Sequence, residues 1–146
     1  MIEMRPFFKE DILEIKETSP KSEFLGYISS EENLKILDNC RYAQTVYDAK
    51  TEEVLMCGGI VESWPGRGVG WAVFNHEKAS RHFIVIDRMV RRFLKTCEVK
   101  RIEAQIQYDF ERGHRWAESL GFKLEASRMV GFFPTGEDGS LYARIK

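Results

Sequence analysis

Hydrophobic positions along the chain switch between two periods, and the switches divide it into elements. Near the start, Phe8, Ile12 and Ile15 recur at steps of four and three, the spacing of one helix face, with Asp11 as a cap. Ser19-Pro20 marks a second helix start, because proline at the first helical position gives up only an orphan donor; Gly26 ends or bends that segment. Ser29 and Glu32 form a capping box that opens a helix through Leu34 and Leu37. The period then falls to two. Residues 42–49 and 54–64 read as the strands of a hairpin joined by a turn at 50–53. Gly58 and Gly59 inside the second strand predict a bulge, with close approach of a ligand to bare backbone as the alternative.

Pro65-Gly-Arg-Gly68 reads as a loop, followed by a strand over 69–74. The strongest helix comes next: Phe83, Ile86, Val90, Phe93 and Cys97 recur at 3, 4, 3 and 4, and Ile84 and Leu94 widen the stripe. That stripe is core, and Asn75 or Ser80 caps its start. From 101 to 108, Ile102, Ala104, Ile106 and Tyr108 share one face while Arg101, Glu103, Gln105 and Gln107 share the other. A short helix from Glu111 to Leu120 ends at Gly121, a left-handed cap position. Strands over 123–133 and 141–146 close the chain. A long helix between two strands is a right-handed crossover and implies locally parallel pairing. The expected fold is α+β (or α/β): a single domain over 1–146, with a mixed, mostly antiparallel sheet and helices on both faces.

Composition narrows the function classes. The 146 residues are 43% hydrophobic and 31% charged, the balance of a soluble globular domain. No apolar run reaches the roughly 18–20 residues of a membrane span, and the first residues lack the basic and apolar regions of a secretory signal. A cytoplasmic protein is expected. Cys40, Cys57 and Cys97 and the three histidines are scattered, so neither a disulfide framework nor a metal site is expected. The net charge of −1 hides a gradient. Residues 1–62 hold 13 acidic against 7 basic side chains, whereas 78–101 hold 8 basic against 2 acidic. The basic stretch reads as a solvated helix face, with the alternative that its leading charges, Lys78 and Arg81, face an anionic ligand. With neither RNP-like aromatics nor a zinc-finger motif, it does not read as a nucleic-acid binder.

Three segments carry a family resemblance. They are the opening Ile2-Glu-Met-Arg5-Pro with Glu10-Asp-Ile12, the hairpin and crossover helix of 54–96, and Arg115-Trp-Ala-Glu-Ser-Leu-Gly-Phe122 before a strand. Together with the element order, they resemble the GNAT superfamily of acyl-CoA-dependent N-acyltransferases, most closely its small phage-encoded members, some of them virion proteins. The resemblance implies transfer of an acetyl group from acetyl-CoA to an amine, on a small molecule or a protein, without a covalent intermediate. A backbone amide of the strand near Val73 and Phe74 would polarise the thioester carbonyl.

The chain departs from the family pattern at two places. The family's Arg/Gln-x-x-Gly-x-Gly/Ala loop holds the diphosphate with backbone N–H groups at a helix start. In register, this chain reads Lys78-Ala-Ser-Arg81-His-Phe83, so Lys78, Ser80 and Arg81 are the cofactor-binding candidates. Arg67-Gly-Val-Gly70 looks like the missing loop but precedes the strand, and reads as a hairpin turn. The tyrosine that protonates the leaving thiolate in many relatives corresponds to Ala117, and a frequent asparagine corresponds to Phe110; neither residue has a proton to give. Glu62 and then Asp109 are the candidate bases for the amine proton, and Tyr108 and Tyr142 are alternative donors. Cys57 and Cys97 read as inert and buried. The alternative function is a GNAT fold that has lost catalysis and binds a partner.

Overall fold

The computed structural model describes residues 1–18 and 30–146. The helix signals at Ser19-Pro20, Gly26 and Ser29 lie outside the described residues. Seven strands, β1 (Ile2–Pro6), β2 (Tyr42–Asp48), β3 (Val54–Trp64), β4 (Arg67–Phe74), β5 (Arg101–Gln107), β6 (Lys123–Met129) and β7 (Gly139–Ile145), form a sheet of order β1-β2-β3-β4-β5-β7-β6. The described helices are α1 (Lys9–Thr18), α2 (Glu31–Asp38), α3 (His76–Ser80), α4 (Phe83–Thr96) and α5 (Glu111–Ser119). The β1–β2, β2–β3, β5–β7 and β6–β7 ladders are antiparallel, and β4–β5 is parallel. The fold is therefore α+β with a mixed, mostly antiparallel sheet, as the alternation of periods predicts. Among the described residues no helix is long and apolar enough to cross a membrane.

The chain divides into two compact units. The first takes in residues 1–61 and 71–97. Its core gathers Phe7, Ile12, Ile15, Leu34, Leu37, Ala43, Val54, Cys57 and Val73. Ile12 and Ile15 are wholly buried, each contributing roughly 1.5–3 kcal/mol. Three expectations are corrected here. The residue that joins them is Phe7, not Phe8, which is 57% exposed. Asp11 does not cap α1 but lies inside its first turn, where its Oδ2 accepts the Phe8 amide at 3.0 Å. Helix α2 is capped by Ser30, whose Oγ accepts from the Asn33 amide, one position after the serine expected to open it.

The glycine pair in β3 is also not a bulge. Gly58 and Gly59 pair in regular register with Gln44 and Ala43, and the irregularity falls between Val46 and Tyr47. The backbone of the neighbouring strand approaches Gly59 closely. After β4, Asn75 caps the separate short helix α3 by accepting from the Lys78 amide at 3.3 Å. Helix α4 starts at Phe83, after His82, which makes no side-chain cap bond. Of the α4 stripe, Ile86 and Leu94 are buried and Cys97 follows as a buried cap residue, while Phe83 and Ile84 are exposed. The stripe thus becomes core only from its second turn onward.

The second unit takes in residues 62–70 and 98–146. Arg67-Gly-Val-Gly70 is neither loop nor turn: it pairs with Arg101–Ala104 in the parallel ladder. The turn is confined to Pro65-Gly66, with Gly66 at φ +94°. Ile102, Ala117, Phe122, Tyr142 and Ala143 are buried. Helix α5 ends as predicted, with Gly121 at φ +92° beyond it. Strict alternation fails at both ends of β5. Tyr108 is exposed, and Glu103 is buried because two arginines claim its carboxylate. Arg67 donates to both oxygens at 3.0 and 2.6 Å, and Arg101 Nε donates at 2.8 Å. The Arg67 hydrogen bonds, followed by those from Arg101, hold this carboxyl below the ordinary glutamate value against the effect of burial.

Candidate functional site

In the first unit, the sequence-predicted cofactor residues lie on one continuous run from β4 through α3 to the start of α4. Val73 is buried and Phe74 half-buried, and Asn75 anchors the run by donating its amide to Leu55 O at 2.9 Å. Beyond it, the backbone donors that a diphosphate would need are spent within α3 and its exit. The Lys78 amide goes to Asn75 Oδ1 at 3.3 Å, the Ala79 amide to Asn75 O at 2.8 Å, and the His82 amide to Ala79 O at 3.0 Å. Side chains are similarly committed. Lys78 forms an ion pair with Glu53, and Ser80 Oγ donates to Glu77 O at 3.0 Å.

Arg81 differs. It is exposed, makes no ion pair among the described residues, and stands two positions before a 14-residue helix with no acidic side chain in its first turn. A helix start carries a partial positive charge, so that combination suits an anion. In the strand before it, Trp71 holds a buried indole N–H that has no partner among the described residues, a donor suited to an acceptor oxygen. Because Lys78 and Glu53 are each about one-third exposed, their pair is worth at most about 1 kcal/mol. Glu53→Gln should therefore leave the urea midpoint almost unchanged while freeing Lys78, and the affinity for inorganic pyrophosphate should rise by calorimetry.

In the second unit, Glu62 is half-buried near the end of β3, and its carboxylate makes no ion pair among the described residues. Asp109 is exposed in the turn after β5 and lines a cavity of about 440 Å³. Tyr108, Phe110, Arg128 and Glu137 line the same cavity, which does not include Glu62. Arg128 stacks on the Tyr108 ring at 4.5 Å and donates to Asp138 at 2.7 Å. A second cavity, of about 260 Å³, is lined by Tyr108, His114, Ser140 and Tyr142 among others. His114 was not singled out by sequence reasoning, nor was its neighbour Glu118. Their i, i+4 spacing on α5 was the available signal.

The cysteines behave as expected. Cys57 and Cys97 are buried and unbridged, and burial pushes the Cys57 thiol up to about 12, so it holds no thiolate at neutral pH.

This element order, with its parallel β4–β5 ladder joined through α4, defines the fold of the GNAT acetyltransferases. Among solved structures, a chimera of the spermidine N-acetyltransferase SpeG from Vibrio cholerae and hSSAT superposes with a TM-score of 0.72 at 14% identity, covering 99% of this chain and 95% of that one. A GNAT-family acetyltransferase from Bacillus anthracis gives a TM-score of 0.70 at 16% identity, with coverage of 99% and 94%. A ribosomal-protein-S5-alanine acetyltransferase from Vibrio fischeri gives 0.67 at 16% identity, with coverage of 99% and 92%. No protein-family profile matches the chain, and no curated protein matches it by sequence.

Proposed function

We propose that this chain is a GNAT-fold N-acetyltransferase that moves an acetyl group from acetyl-CoA to an amine. The observation that carries the reading is Arg81, exposed and unpaired among the described residues at the uncapped start of α4, in a fold shared along almost the whole chain with N-acetyltransferases. Acetyl-CoA, when bound, supplies an acyl group activated as a thioester. Arg81 and the first turn of α4 would hold its diphosphate, a guanidinium being suited to bidentate contact with phosphate oxygens. The backbone of Val73 and Phe74 would orient and polarise the acyl carbonyl. A carboxylate must take the proton that the attacking amine loses. Glu62 and Asp109 are the candidates for that task, Asp109 being the more exposed.

Calorimetry with acetyl-CoA up to millimolar concentration tests the reading. The native chain should bind, and Arg81→Glu should weaken binding at least tenfold, about 1.4 kcal/mol. Absence of binding by the native chain would remove the transferase reading. A second reading is favoured by the spent amides of α3 and by the Lys78–Glu53 pair: a GNAT fold that binds a partner without turnover. Thiol release with a panel of primary amines would overturn that reading.

A further inference from the structure

Both ring nitrogens of His114 are engaged. Nε2 is 2.9 Å from the Tyr108 carbonyl oxygen and Nδ1 is 2.8 Å from the Tyr142 hydroxyl. A carbonyl only accepts, so Nε2 carries a hydrogen in every protonation state of this arrangement. In the neutral ring Nδ1 is therefore a lone pair, and the Tyr142 O–H must donate to it. The same phenol oxygen is 3.4 Å from Glu118 Oε1. Its one hydrogen cannot serve both partners, so in this state the phenol oxygen and the carboxylate meet as two acceptors. A proton on Nδ1 inverts the sequence. Nδ1–H donates to Tyr142, and the freed hydroxyl hydrogen turns to Glu118.

We propose that His114, Tyr142 and Glu118 form a proton-controlled switch, in which protonation of His114 reverses the direction of the Tyr142 hydrogen bond. The three side chains join α5 to β7, and His114 also holds the end of β5 through the Tyr108 carbonyl. Tyr142 is 2% exposed. Burial, followed by the Glu118 charge, holds the phenol above its ordinary value, so the hydroxyl keeps its hydrogen at neutral pH. The titratable groups around the ring are Glu111 and Glu118 on α5, Tyr108 at the end of β5 and Tyr142 on β7. Ser127 of β6 and Ser140 of β7, which also line the cavity, carry no charge. Glu111 is drawn off by Arg115, 3.7 Å away, which leaves Glu118 as the carboxylate in contact with the chain of hydrogen bonds. The protonated form gains one hydrogen bond and turns opposed acceptors into a continuous run from the Tyr108 carbonyl to Glu118. The switch does not depend on acetyl transfer.

Imidazole nitrogen and tyrosine carbon NMR of the full chain, followed across the histidine titration, tests it. The neutral ring should show a protonated Nε2 and a bare Nδ1. The Tyr142 Cζ signal should move with the same midpoint as His114, and that movement should be lost in His114→Gln. Glu118→Gln should lower the His114 midpoint. A neutral ring protonated on Nδ1, a Tyr142 signal that stays still while His114 titrates, or an unmoved midpoint in Glu118→Gln would each overturn the switch.

Discussion

Replacing Asp11 by alanine should cost about 3 kcal/mol of stability, near the lower end of what removing one partner of a buried pair costs. The carboxylate is the hub of the first unit's polar network. Arg5 donates to both of its oxygens at 2.8 Å, Thr45 Oγ1 donates at 2.7 Å and the Phe8 amide at 3.0 Å. Alanine leaves the Thr45 hydroxyl, wholly buried, and the guanidinium without their acceptor. Arg5 keeps 32% of its side chain in water, which limits the loss. For a chain of this length the melting temperature should drop by roughly 10 °C. A loss below about 1 kcal/mol in urea unfolding would show that the clamp is dispensable.

The same group sets an acid limit. Burial disfavours the Asp11 charge, but hydrogen bonds from Arg5, Thr45 and the Phe8 amide outweigh it and hold the carboxyl below its ordinary 3.8. The stabilisation is therefore complete above that ordinary value and is lost as pH falls through the lower folded value. The native chain and Asp11→Asn should differ most above about pH 5 and converge in stronger acid.

Local periodicity made most of the fold legible. The hairpin of β2 and β3, the amphipathic α4 and the glycine stop after α5 each rest on neighbours within one or two turns of chain. The misreadings have non-local causes. Phe7 and Phe8 both suit the front of the α1 stripe. The Arg5–Asp11 clamp and the Phe7 amide's bond to Ala43 O at 3.3 Å settle which one enters the core. Glu103 falls on the polar side of an alternating strand, yet Arg67, 36 positions earlier, brings it inside. Asn75 and Ser80 are the caps expected of the long helix, yet Asn75 caps α3, and the break at Arg81–His82 that separates α3 from α4 carries neither glycine nor proline to mark it.

Less of the candidate site was legible. Arg81 and Lys78 stand out because a glycine loop is expected where they are. That Lys78 is already paired could not be read, since Glu53 lies in the turn before β3, 25 positions earlier. The extra turn of helix in α3, which consumes the amides, is equally invisible to a motif comparison. His114 and Glu118 share a helix face, but the phenol that connects them comes from β7.

Gly59 should be the least replaceable glycine of β3. A Cβ there would stand 2.1 Å from Tyr42 O and 2.8 Å from Ala43 Cα, both backbone atoms of β2. A side chain can rotate away from such an intrusion, but a paired strand can only move as a whole. Any movement of β2 propagates in two directions. It pulls on Ala43 O, which accepts the Phe7 amide, and it displaces Thr45, which binds Asp11. Gly59→Ala should therefore cost about 3 kcal/mol or more, the upper range for overpacking. Gly58→Ala is the control, since its nearest neighbour at 3.0 Å is the flexible end of Met56, although Trp71 O at 3.1 Å prevents it from being free. Urea unfolding of the two variants should rank them well apart. Equal losses would mean that β2 yields at Tyr42 more readily than its hydrogen bonds to β1 and α1 imply.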